Sequence, residues 1–146
     1  MIMIKLTKFK IKDTPFVQKN FSDYFKDSSI SNIKNILKEW KNAKHLAFCI
    51  QYEDLPVGII SLPQKGPTTV SFGIYISESY RGKSIATEAF EKASQIAKTK
   101  GYTEIISSCA ANNLASKAMH EKLGFKLLKT EVNKAGNRMC RWQKYI

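Results

Sequence analysis

The tetrapeptide Arg81-Gly82-Lys83-Ser84 brings two cations, a glycine and a hydroxyl to the point where a helical apolar pattern begins at Ile85. A turn of that composition can hold phosphate. The first N–H groups of a helix have no partner within it, and the helix dipole adds partial positive charge beside them. Glycine lets the backbone come close to the anion. This is not a P-loop, because the GxxxxGK[ST] spacing is absent. Other chemistries are poorly supplied. Cys49, Cys109 and Cys140 are dispersed, with no CxxC pair, and read as reduced, mostly buried thiols. Cys109 lies in an apolar stretch without an adjacent base, which argues against an acyl-carrying thiolate. His45 and His120 are the only histidines and form no metal motif.

The turn needs a strand before it and a helix after it. Val70, Phe72, Ile74 and Ile76 alternate with Ser71, Gly73 and Tyr75, a strand pattern that delivers the chain to Arg81. Ile85, Ala89, Phe90, Ala93, Ile96 and Ala97 give a buried face to a helix over Ser84–Lys100, ended by Gly101. Glu104–Ala110 reads as a strand. Asn113–Leu123 reads as a short helix with Asn112 or Asn113 as N-cap, Gly124 as its stop and Phe125 as the capping contact. Phe125–Val132 and Arg138–Tyr145 form a hairpin.

Upstream, Ile2–Ile11 reads as a strand with a bulge or a change of face near Thr7-Lys8. Thr14-Pro15 starts a helical region that runs to about Lys44 and breaks near Asp27-Ser28-Ser29. Leu46–Tyr52 and Val57–Leu62 make a second hairpin. The order predicts an α+β fold: a mixed, mostly antiparallel central sheet of about seven strands flanked by helices.

The chain has 146 residues, 43% hydrophobic and 25% charged, which predicts one globular domain over residues 1–146. No apolar run reaches the ~20 residues of a membrane span. Met1–Lys5 lacks the pattern of a signal peptide, so the expected location is cytoplasmic. The net charge of +12 is spread along the chain and is nearly all lysine, Arg81, Arg138 and Arg141 being the only arginines. Such a surface attracts anions, including phosphorylated cofactors. It argues against nucleic-acid binding, which favours arginine and interleaved aromatic and basic residues.

The series from the Val70 strand through Arg81–Ala89, Asn113-Leu114-Ala115-Ser116 and Glu121-Lys122-Leu123-Gly124-Phe125 resembles the acetyl-CoA-binding core of the GNAT superfamily of N-acetyltransferases. It is most similar to the branch that acetylates ribosomal-protein N-termini and related amines. The resemblance implies the acyl-CoA N-acyltransferase fold, acetyl-CoA as cosubstrate, and a primary amine acceptor, either a small molecule or a peptide N-terminus. It implies that Ile74, Tyr75 and Ile76 pair with the pantetheine amides, one of their N–H groups polarising the thioester. Arg81, Gly82, Lys83, Ser84, Ile85, Ala86 and Thr87 would hold the pyrophosphate. Asn113 and Ser116 would bond the pantetheine arm or the thioester end.

His120 stands where many members carry a tyrosine that protonates the thiolate, and Ser116 is the rival donor. The acceptor would enter opposite CoA, between the N-terminal helices and the C-terminal hairpin. The chain departs from the family pattern in places. Ser84 replaces a glycine, and Val70 stands where many relatives carry a glutamate base. Glu78 and Glu53 have no spacing that supports them as replacements, and a water chain is an equal alternative. A CoA-binding module without transfer is the runner-up, ahead of a basic nucleic-acid-binding domain. Oligomeric state is open, a homodimer included.

Overall fold

The computed structural model describes residues 4–41 and 45–146. In chain order its elements are β1 (Ile4–Lys8), α1 (Thr14–Phe21), α2 (Ile30–Lys41), β2 (Leu46–Tyr52), β3 (Leu55–Leu62), β4 (Thr69–Ser71), β5 (Gly73–Ile76), α3 (Ile85–Thr99), β6 (Glu104–Ala110), α4 (Leu114–Lys122), β7 (Lys126–Val132) and β8 (Arg138–Tyr145). They form two four-stranded sheets, ordered β1-β2-β3-β5 and β4-β6-β8-β7. Among the described residues, only the β4–β6 pair is parallel.

β4 and β5 are the two halves of the strand that alternation predicts over Val70–Ile76. The chain breaks at Phe72, so that the first half joins β6 and the second joins β3. The alternation itself runs through Phe72 without interruption. What marks the break is tertiary: the Phe72 ring lies 5.0 Å from Phe90 of α3 and 5.8 Å from Phe125, centroid to centroid.

β2 and β3 are buried on both faces, as their nearly continuous apolar sequence requires. On one side α3 lays Ile85, Ala89, Phe90, Ala93 and Ala97 against Leu46, Phe48, Ile50, Ile60 and Leu62. On the other, Val17 and Phe21 of α1 and Ile33 and Leu37 of α2 pack on Cys49 and Ile59. All three cysteines are buried and free.

The N-terminal expectations need correction. β1 ends at Lys8 rather than Ile11, and it pairs with β2 in unbroken register, so there is no bulge at Thr7-Lys8. The change of face at Phe9 comes from the end of the strand: Phe9 enters the α1–α2 core, and Ile11–Asp13 forms a 3₁₀ turn. Asp13 fastens that turn by accepting from the Lys10 N–H at 2.8 Å. The Thr14 hydroxyl donates to the Ile11 carbonyl instead of capping α1. Residues 2–3 of the expected strand and 42–44 of the expected helical region lie outside the described residues.

One close approach holds β5 in place. A Cβ added at Gly58 of β3 would meet the Tyr75 carbonyl oxygen at 2.2 Å, so only glycine allows this spacing. Gly58→Ala is expected to lower the unfolding free energy by about 1–3 kcal/mol in chemical denaturation. Gly66→Ala, whose added Cβ would meet nothing nearer than 3.8 Å, serves as the near-neutral control.

Candidate active site

Pairing between β4 and β6 covers Thr69↔Glu104 to Ser71↔Ile106 and stops there. Beyond it the strands diverge. β5 follows β3, and Ser107–Ala110 of β6 stays with β8 alone. Among the described residues, neither facing edge has a strand partner. The backbone groups on the β5 edge can be assigned from register. Ser77 donates its N–H to the Val57 carbonyl at 2.8 Å, and the Tyr75 carbonyl faces Gly58. Odd-numbered residues therefore serve β3, and the N–H and C=O groups of Ile74 and Ile76 point into the opening. An extended ligand bearing amides can pair there as a strand would, which is the donor and acceptor set that a pantetheine arm requires.

The turn after β5 sits at one end of this opening. Glu78–Tyr80 makes a 3₁₀ turn, Gly82 has φ +78°, Ser84 has φ +62°, and α3 starts at Ile85. Left-handed residues beside a helix start curl the backbone N–H groups into an anion-binding concavity. The Ser84 side chain makes no capping bond to α3. Arg81 ties the turn to the strand: its Nε donates to the Ile76 carbonyl at 2.8 Å, and its guanidinium carbon lies 5.5 Å from the Tyr75 ring centroid.

Strand edge, turn and α4 enclose a cleft of about 500 Å³. It is lined by Ile74, Tyr75, Ile76, Arg81, Gly82, Ser84, Ile85, Ala86 and Thr87, with Ala115, Met119 and Lys122 from α4. Lys83, Asn113 and Ser116 are not part of that lining. Lys83 is exposed on the turn, and Asn113 caps α4 by accepting from the Ser116 N–H at 3.0 Å. Sequence reasoning missed Lys122, although it follows Met119 by three residues on the same helix face.

His120 lies behind the cleft rather than in it, only 2% exposed. Its Nδ1 is 2.7 Å from the Ser116 carbonyl, which can only accept, so Nδ1 carries the proton. Nε2 is then an acceptor, and the Ser107 hydroxyl donates to it at 2.8 Å. The ring stacks on Trp142, with centroids 5.0 Å apart and planes 10° apart. Burial pushes the imidazole pKa below its ordinary 6.5, the Ser116 carbonyl opposing in part. Ser107 had no signal in the sequence beyond its place in a strand, yet it is the first β6 residue past the last pair with β4.

Glu78 and Glu53 are exposed in turns and line no part of the cleft. Cys109 is buried, its sulfur accepting from Trp142 Nε1 at 3.3 Å, as an inert core thiol would. The lowered His120 pKa sets a pH dependence. Below about pH 6.5 the unfolded chain binds a proton that the folded imidazole refuses, so stability is lost as pH falls through that range. Thermal unfolding between about pH 7.5 and 5.5 should show a falling midpoint. His120→Asn should flatten that slope.

The GNAT acetyltransferase domain model matches residues 6–126, most of the chain. The chain belongs to this family. GNAT acetyltransferases draw their acetyl group from acetyl-CoA. Among curated proteins, an aminoglycoside N(6′)-acetyltransferase type 1 from Acinetobacter genomosp. 13 is 39% identical over 62 residues, a match spanning 42% of this chain and 42% of that relative. In structure the chain resembles an acetyltransferase from Salmonella typhimurium that modifies the N-terminal serine of a 50S ribosomal subunit protein. The TM-score is 0.85 at 13% identity, covering 98% of this chain and 95% of the other. It also resembles the microcin C7 self-immunity acetyltransferase, solved with acetyl-CoA and AMP. There the TM-score is 0.78 at 20% identity, with coverage of 98% and 92%.

The GNAT turn pattern expects glycine at position 84, and the backbone explains why. Ser84 adopts the left-handed conformation that glycine takes without strain. A side chain there costs roughly 1–2 kcal/mol, and glycine's greater freedom in the unfolded chain returns about 0.5–1 kcal/mol. Ser84→Gly should therefore stabilise the fold by about 0.5–1 kcal/mol. Calorimetry should also find acetyl-CoA binding at least as tight as in the native chain.

Proposed function

We propose that the protein transfers an acetyl group from acetyl-CoA to a primary amine by direct attack on the thioester carbonyl. The observation that carries this reading is the divergence of β5 from β6 beside a left-handed turn at the start of α3. In this reading the inward N–H and C=O of Ile74 and the N–H of Ile76 hold the pantetheine arm, the Ile76 carbonyl being taken by Arg81. One of the two N–H groups faces the carbonyl oxygen as negative charge develops on it. The Arg81–Thr87 segment takes the pyrophosphate, with Lys122 adding a cation that the sequence did not suggest.

The Ser107–His120 pair gives the reaction a proton path. Neutral His120 takes, through the Ser107 hydroxyl, the proton that the attacking amine sheds. Ser107 passes its own proton to Nε2 as it accepts that of the amine. A protonated imidazole below its ordinary pKa then gives the proton up readily to a thiolate, whose conjugate acid has a pKa near ~8.5. Ser116 acts here as the residue that orients the ring through its carbonyl. An acceptor ammonium loses its first proton to solvent, since no carboxylate lines the cleft among the described residues. We read residues 1–146 as one domain working in the cytoplasm, where three buried free thiols are at home.

Thiol release from acetyl-CoA with a panel of amines tests the transfer. Release is expected, and Ser107→Ala should lower kcat by about a hundredfold with KM for acetyl-CoA unchanged. Tight acetyl-CoA binding with no thiol release on any amine would leave only a binding module.

A further inference from the structure

A second cavity, of about 490 Å³, opens on the other face of the β4–β6–β8–β7 sheet. Ile105 and Cys109 of β6 turn into the α3 core, so Ile106 and Ser108 point away from it. Their cross-strand partners, Ser71 and Arg141, share that outward face. Phe72, at the strand break, lines this cavity from the point where the sheets part. The cavity thus reaches the break on the outward side of the sheet, Phe72 lining it two residues before Ile74 lines the cosubstrate cleft.

Its chemistry is one-sided. Lys65 and Arg141 supply cations, and Ser71, Ser107 and Ser108 contribute to the lining. No aspartate or glutamate lines it among the described residues. Arg141 is held in place, its Nε donating to Glu131 Oε1 at 2.5 Å. That carboxylate also meets Lys129 at 3.2 Å, so two cations already share it. The rest of the guanidinium fork remains to bind a planar or tetrahedral anion. The chain as a whole carries +12, which repels a polycation approaching this face.

We infer that this cavity takes the acceptor, and that the acceptor is a primary amine that also carries a carboxylate or phosphate. The inference rests on the transfer reading above and narrows it. Arg141 and Lys65 hold the anionic group, and the amine reaches the break at Phe72, where Ser107 also lies. A polyamine or aminoglycoside would set several ammonium groups against Lys65 and against an Arg141 that shares its one carboxylate with Lys129.

The test measures thiol release by the full chain at saturating acetyl-CoA with matched amines. Glycylglycine is compared with glycylglycinamide, O-phosphoethanolamine with ethanolamine, and spermidine stands for polycations. The anionic member of a pair is expected to exceed its neutral partner in kcat/KM by about tenfold to a hundredfold. Whichever pair shows the larger ratio identifies the anion. Arg141→Gln should collapse that ratio by lowering kcat/KM for the anionic amine about tenfold or more. Lys65→Gln, on an exposed loop, should collapse it partly and serves should Arg141→Gln fail to fold.

Best turnover with spermidine, or a ratio that neither variant alters, overturns the inference. If no amine releases thiol, calorimetry of glycylglycine and O-phosphoethanolamine against the acetyl-CoA complex separates the two readings. Arg141-dependent binding would keep the cavity assignment and sink transfer. Absence of binding would sink the cavity assignment.

Discussion

A β-strand has two edges and room for only one neighbouring strand on each. The segment Thr69–Ile76 divides that capacity between two sheets. Its first half holds the parallel pair with β6, and its second half closes the antiparallel sheet on β3. The division at Phe72 leaves two edges facing each other without a strand between them, and the functional surfaces are arranged around that point. The aromatic cluster of Phe72, Phe90, Phe125 and His120 keeps the break in one place. Gly58 lets β3 draw β5 close enough to hold the divergence open.

Much of this architecture is legible in the residue pattern. Helix α3 follows from the apolar period beginning at Ile85, and α4 from its Asn113 cap and its Gly124 stop, where the Phe125 N–H closes back on the His120 carbonyl at 2.9 Å. These are local signals, set by backbone geometry within a few residues. The break at Phe72 is not legible, because alternation continues through it and the cause lies in rings contributed by α3 and α4. The end of β1 is hidden for a similar reason: Phe9 changes face to enter a core made by helices later in the chain.

The same division holds for the candidate site. Ser84 declared itself by standing where glycine was expected, and its backbone conformation gives that expectation its physical content. His120 was visible as a residue type in a meaningful place, but its partner was not. Ser107 lies thirteen residues away on another element and meets the imidazole only because α4 crosses beneath β6. Lys122 and Arg141 looked like ordinary surface charges, and only their places around a cavity set them apart.

Unpaired strand edges carry a hazard as well as an opportunity, since an open edge is a template on which another chain can add a strand and begin to aggregate. The divergence of β5 and β6 answers that hazard by geometry. The two open edges face inward, and the Arg81–Thr87 turn stands over one end of the space between them. A single extended chain can lie along either edge. A foreign sheet, with neighbours of its own on both sides, would collide with the opposite wall. The cleft thus sorts its guests by width, and the feature that readies this fold to receive a slender ligand also protects it from its own copies.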